Sequence, residues 1–346
     1  MLNCKLPPVD CSITVDQNKL VRLTSSSVCA SVASLKRRPP ECVVKAAVTL
    51  MRDAIKTTQG AGNVVDIDAE EIPLGLSIGQ LGTFSRTGLG QLEWLGEVAA
   101  MQYNTQEERQ WVLQTPDNLD CQERNEIIRL LYKFPLNHVI AKEGKFSVDV
   151  RAFSKLALER YIDDSVIDTA IARMQRELHL QESVLCLPAH TITWLDTGDE
   201  HFIRDCFEQL LVYVRPDLLR VILVPVNMNE VHWGLMAVDV SQREAYFDDG
   251  LGWSFPPITY LQVIVKQLHS MFPECDNFSL NHWRRVEAFK RFGMPRQPTD
   301  CGNIGSGSCG VGVILSARDF MMSVPSSWTF SEMAVHRKEV MKLLSS

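Results

Sequence analysis

Residues 219–248 read Leu219-Arg-Val-Ile-Leu-Val-Pro-Val226-Asn-Met-Asn-Glu230-Val-His232-Trp-Gly-Leu-Met-Ala-Val-Asp-Val240-Ser-Gln-Arg243-Glu-Ala245-Tyr-Phe-Asp248. Leu219 to Val226 is an apolar run with the length and β-branched content of a buried strand. Asn227-Met228-Asn229-Glu230 makes a turn, and apolar residues resume from His232 to Val240. Polar Ser241-Gln242-Arg243 makes a second turn, and Ala245 to Asp248 closes a short third strand. Three such runs with tight connections predict an antiparallel meander.

The meander has a chemical consequence. His232 opens its second strand and Asp248 ends its third, with a turn centred near 240–242 between them. Antiparallel pairing about that turn puts both at one end of the sheet. A carboxylate there can accept the imidazole Nδ1–H, fix the tautomer and stabilise the imidazolium. A strand-end His and a turn Asp are also common on ordinary sheet edges, so the pair needs a third group. Ser308-Cys309-Gly310 offers one. A Gly-rich loop, 300–308, leads into it, and Cys309 to Met322 reads as an apolar helix stopped by Ser323-Val324-Pro325. A cysteine at a helix N-terminus meets free N–H groups and the macrodipole, which favour thiolate, and an adjacent imidazolium adds to this. The flanking glycines let a substrate carbonyl approach a backbone N–H in an oxyanion hole.

The chain has ten cysteines among 346 residues, and most read as small buried apolar side chains. No two are spaced C-x-x-C, which removes the common zinc and thioredoxin-type patterns. The opening MLNCKLPPVDCSITVDQ lacks a basic n-region and an apolar h-region, so no cleaved secretory signal is expected. Reduced thiols in a cytoplasmic or nuclear setting follow. Net charge is −7, with no basic block, which argues against a nucleic-acid partner. No apolar stretch is long enough for a membrane span.

Upstream, Asp163 or Asp164 can N-cap a helix carrying Ile167, Ile171, Met174 and Leu178 on one face. Phe146 to Val150 alternates like a strand. Before residue 145 the texture differs. A helix over 43–56 puts Val44, Val48, Met51 and Ile55 on one face, and further helices read near 105–114 and 121–133. Between 57 and 96 the chain is Gly-rich. Two parts are expected: a mainly helical N-terminal region, 1–144, without a readable motif, and a second part, 145–346, carrying the chemistry.

In the order His, Asp, Gln, Cys, residues 146 to the C-terminus resemble the catalytic domain of the ubiquitin-like-protein-specific cysteine proteases, with the fold of adenain. Phe153 to Ile167 is similar to that family's opening motif, with Tyr161-Ile-Asp-Asp164 at its Trp-Leu-Asn-Asp. Val224 to Trp233 is similar to its strand ending in His-Trp. Asp239 matches an acidic position seven residues after that His, and Tyr246-Phe-Asp248 its Tyr-x-Asp. The resemblance implies an α+β, papain-like thiol protease domain: a central, mainly antiparallel sheet meander flanked by helices. It implies Cys309 as nucleophile, His232 as base, Asp248 as its carboxylate and Gln297 on the oxyanion. Trp233, Tyr161 and Asp164 would face substrate, and no cofactor is required.

Two departures stand out. Gln297 lies twelve residues before Cys309 and four before Cys301, whereas the family's spacing is about six. Asp300-Cys301-Gly302 therefore competes as nucleophile motif. Cys309 is preferred because Asn303, Gly305 and Gly307 after Cys301 cannot propagate a helix. Asn303, six before Cys309, is the alternative to Gln297. Tyr161 also stands where SUMO-cleaving members carry a second Trp. Three decoys fall away: Gly305-x-Gly307-x-x-Gly310 lacks the strand and ribose-binding acid of a dinucleotide site, His282-Trp283 has no Asp-bearing hairpin after it, and His190, Asp199 and His201 lack metal-ligand spacing. The expected activity is hydrolysis of a peptide or isopeptide bond after a small residue, with a ubiquitin-like modifier or its conjugate as the candidate protein partner. The rivals are acyl transfer on the same fold and a catalytically inactive module that binds ubiquitin-like proteins.

Overall fold

The computed structural model describes residues 6–24, 26–59, 74–278, 282–286, 294–296 and 307–346. The chain divides into two compact units, Met1–Gln106 and Glu107–Ser346.

In the first unit β1 (Asn18–Arg22), β2 (Leu74–Ile78) and β3 (Thr83–Ser85) form an antiparallel sheet in that order. Helix α1 (Glu41–Gln59) turns Val44, Val48 and Met51 inward onto Leu76, Ile78 and Phe84, with Ile55 partly buried beside them, as the periodicity predicts. Helix α2 (Arg86–Gln114) contains the helix expected near 105–114. The sheet adds three short strands to the helices expected of this region. Its β2 and β3 fall in the Gly-rich stretch, where Leu76 and Phe84 bury fully although too few apolar residues surround them to show a period.

The second unit opens with α3 (Cys121–Lys133), β4 (Val139–Glu143), β5 (Phe146–Asp149), α4 (Val150–Ser154), α5 (Asp164–Glu177) and β6 (Val184–Cys186). Helices α6 (Thr191–Thr197) and α7 (Glu200–Leu210) precede the meander of β7 (Val221–Met228), β8 (His232–Asp239) and β9 (Glu244–Asp248). Then come α8 (Pro257–Met271), β10 (Arg284–Arg285), α9 (Ser308–Met322) and α10 (Met333–Ser345). The five-stranded sheet runs β10-β9-β8-β7-β6; the meander is antiparallel, and β6 and β10 add parallel edges. Both faces of β7 and β8 are covered. Leu223, Trp233, Leu235 and Ala237 join the core with α5, α9 and α10, while Val224, Met236 and Val238 join another with α8. Burial on both sides is why β7 reads as an unbroken apolar run rather than an alternation. Each large aliphatic side chain buried there contributes about 1.5–3 kcal/mol.

Helix α9 lies close against its neighbours because of Gly310. A Cβ at that position would stand 2.5 Å from Ile162 Cγ1 and 2.8 Å from its Cδ1. Among the described residues no helix is long and apolar enough to cross a membrane.

The division falls after Gln106, not after 144, and the reason is packing. Val112, Leu119, Ile127, Leu130, Leu131 and Ala141 are buried in the same core as Phe153 and Ile167. Lys338 of α10 is fully buried, and its ammonium donates to Val112 O (2.9 Å), Thr115 O (2.7 Å) and Asp117 Oδ2 (2.7 Å). Removing all three acceptors orphans a buried charge, which costs about 3–5 kcal/mol. A fragment of 145–346 is therefore expected to aggregate or to melt without cooperativity, whereas 107–346 melts cooperatively. Calorimetry on the two fragments checks this, and a cooperative transition in 145–346 would refute it.

Candidate active site

His232 is the first residue of β8 and only 4% exposed. Its Nε2 lies 3.0 Å from the Asp249 carbonyl oxygen and 3.3 Å from Asp249 Oδ2. A carbonyl can only accept, so Nε2 carries the proton and donates to Asp249. Cys309 adjoins the ring and helps to hold its positive charge. With Nε2 engaged, the nitrogen that serves the thiol is Nδ1.

This arrangement corrects the sequence reading twice. The carboxylate takes Nε2–H rather than Nδ1–H, and it belongs to Asp249 rather than Asp248. The second error is one of register. A three-residue turn, Ser241 to Arg243, would set Asp248 on His232's face of the sheet. The connection is in fact Val240 to Arg243, with Asp239 paired to Glu244 and Leu235 to Asp248. One residue of slip exchanges the faces. Asp248 therefore lies on the other face, where its Oδ1 accepts from Gly250 N (3.0 Å) and its Oδ2 from Met294 N (3.2 Å). Asp249, one step further, falls opposite Gly234. That glycine makes room: a Cβ there would lie 2.7 Å from two Phe247 ring carbons and 3.1 Å from Asp249 Cβ.

The turn after β9 is built around the Asp249 carboxylate. Oδ1 accepts from Leu251 N (3.0 Å), Gly252 N (2.6 Å) and Trp253 N (3.3 Å), and Oδ2 from Trp253 N (3.2 Å). Gly250 and Gly252, at φ +73° and +81°, supply the left-handed backbone this turn needs. Burial works to raise the Asp249 pKa, but His232 and these amides outweigh it and lower it. For His232, burial works to lower the pKa, and Asp249 and Cys309 together raise it to about 9. The imidazole is thus charged at neutral pH. The Trp253 ring covers it, with centroids 5.0 Å apart. Sequence reading missed Trp253 and Asp249; the adjacent acids of Asp248-Asp249 were the available signal.

Cys309 sits in the first turn of α9, 1% exposed, after Gly307 as N-cap at φ +63°. The expected placement at the start of an apolar helix is what the structure has. Arg337 of α10, fully buried, holds this end of the helix in place. Its guanidinium donates to the carbonyls of Gly307, Arg160, Leu156 and Lys155. One side chain so ties the residue before Ser308-Cys309 to the segment before Tyr161.

Trp233 Nε1 donates to Ile162 O at 3.2 Å, and its ring stacks beside Tyr161 with centroids 6.3 Å apart. Burial lifts the Tyr161 phenol to about 12, and the charge of Cys309 adds to this. Asp164 pairs with His190 Nδ1 at 3.1 Å. Asp163 precedes α5 without capping it and instead holds Lys155 Nζ at 2.6 Å. Gln297, Cys301 and Asn303 lie outside the described residues.

Residues 218–345 match the Ulp1 protease family, C-terminal catalytic domain. Among curated proteins no sequence matches significantly. Several solved structures share the fold. A SUMO protease Ulp1 with its catalytic cysteine oxidised to a sulfenic acid is 16% identical, covering 66% of this chain and 95% of its own, at a TM-score of 0.52. The C-terminal Ulp1 protease domain in complex with Smt3, the yeast ortholog of SUMO, is 18% identical, covering 67% and 97%, at 0.51. The Chaetomium thermophilum Ulp1-like SUMO protease catalytic domain is 19% identical, covering 66% and 90%, at 0.50.

Proposed function

From a chain whose residues 218–345 carry the C-terminal catalytic domain of the Ulp1 protease family, we propose a thiol peptidase that hydrolyses a peptide or isopeptide bond after a small residue. The observation that carries this reading is the buried series Asp249–His232–Cys309: Asp249 hydrogen-bonds the imidazole, and Cys309 adjoins it at the start of α9. The Cys309 sulfur attacks the carbonyl, the His232 imidazolium gives its Nδ1 proton to the leaving amine, and Asp249 orients the ring. Backbone N–H groups at the start of α9, with Gln297 or Asn303, hold the oxyanion. Water then releases the acyl group, and no cofactor enters the sequence.

The substrate class follows from the two rings. Trp233 and Tyr161 lie side by side next to the nucleophile, and a passage between such rings admits glycine better than any branched side chain. A ubiquitin-like C-terminus ending in glycine fits, and the fold relative in complex with Smt3 supports the same class. Asp164, half-buried at the start of α5, is the proposed contact to the body of that partner.

The test is a panel of ubiquitin-like precursors and of probes bearing an electrophile at the modifier's C-terminus. Covalent labelling and precursor cleavage by at least one modifier are expected. Tight binding without labelling would favour the inactive binding module, and transfer of an acyl group without hydrolysis the acyltransferase.

A further inference from the structure

The second unit holds a cavity of about 720 Å³ whose lining includes none of His232, Asp249 and Cys309. Helix α5, the β4–β5 turn, β6 and the end of α7 enclose it. That volume is typical of small-molecule sites, roughly 300–1,000 Å³. Its walls are mixed: Ile171, Leu185, Leu187 and Leu210 give an apolar side, and Glu143, Lys145, Arg176 and Glu182 also line it.

Of the charged residues that line it, only Asp168 is buried. Asp168 is 8% exposed and lines the cavity. Its Oδ1 accepts from Ala189 N at 2.9 Å, and among the described residues its Oδ2 has no hydrogen-bond partner. The neighbouring charges are otherwise engaged. Arg176 donates to Glu143 at 3.0 Å, and Lys145 rests over the Phe146 and Trp194 rings, 5.6 Å from each. Glu182 on the rim adds a further negative charge. Burial raises the Asp168 pKa to about 7, against the pull of the Ala189 amide and of the more distant Lys145 charge. A buried carboxylate with one open oxygen is costly. A cation that reaches it offsets that cost.

We propose that this cavity is a binding site for a small primary amine with an apolar body, its ammonium on Asp168 Oδ2 and its body against Ile171, Leu185 and Leu210. The site is independent of the proteolytic reading. Phenethylamine is a suitable probe, titrated into the intact 15N-labelled chain while the Ala189 amide, bonded to the same carboxyl, is followed. A saturable shift of that amide is expected. 2-Phenylethanol, of the same shape and no charge, should bind at least tenfold more weakly, as should phenethylamine to Asp168→Asn. Equal binding of the alcohol, equal binding to the variant, or no saturable shift at millimolar amine would each overturn the proposal. Should Asp168→Asn fail to fold, the amine–alcohol comparison on the wild type decides alone.

Discussion

Cys309→Ala is expected to abolish covalent capture by a C-terminal electrophile and to lower hydrolysis by on the order of 10⁴-fold or more. The reasoning is local. Cys309 supplies the thiol beside His232, and without sulfur there no acyl-enzyme can form. The fold should survive, because the change removes one atom from a packed helical turn and alanine propagates a helix well. Binding of the modifier should persist, which separates lost chemistry from lost structure. Mass spectrometry of the labelled protein and calorimetry of the variant check both halves. Labelling that survives Cys309→Ala and disappears in Cys301→Ala would transfer the nucleophile to Cys301.

Asp249→Asn should lower kcat by about 10²–10⁴-fold, while Asp248→Asn stays within about tenfold of wild type. Only Asp249 touches the imidazole; Asp248 anchors Met294 and Gly250. The two variants also differ in pH dependence. In the wild type the imidazolium, needed to protonate the leaving amine, persists to about pH 9. Losing the Asp249 charge leaves burial as the main influence, so the alkaline limb of the rate profile should move at least one unit toward acid. Stability follows with the same sign. A histidine raised from 6.5 to about 9 stabilises the fold by about 3 kcal/mol below pH 6.5, and this is lost as pH rises through 9. Asp249, whose pKa is lowered, contributes above its ordinary value of 3.8 and loses that contribution as pH falls. Rate profiles and urea melts between pH 5 and 10 would read both. An unmoved alkaline limb in Asp249→Asn, or a shift of equal size in Asp248→Asn, would remove Asp249 from its assigned role.

The meander, α8 and α9 were legible because each is a long segment with one dominant pattern, and Cys309 because a glycine-rich run ends where an apolar helix starts. What failed was parity. Whether Asp248 or Asp249 meets His232 depends on whether Val240 belongs to the strand or the turn, and an apolar Val240 gives no sign that it leaves the ladder. The domain boundary failed for a related reason. The helices before residue 145 have ordinary amphipathic patterns, and nothing local reports that Lys338, more than two hundred residues on, buries its ammonium against Val112. Arg337 was invisible likewise, since a basic residue in an amphipathic helix reads as solvent-facing until its partners are in view.

The Arg337 guanidinium rests on four carbonyl oxygens from the segments at 155–160 and at Gly307. In effect α10 is a tethered activator delivering a cation to a socket at the base of the nucleophile helix. The tether between α9 and α10 is exposed at Val324 and Pro325. Severing it there turns an internal contact into a bimolecular one: the shortened chain becomes a receptor, and a peptide of the last helix becomes its agonist. The same chain would then be dosed by peptide concentration, a split form whose occupancy reports how much order α10 lends to Cys309.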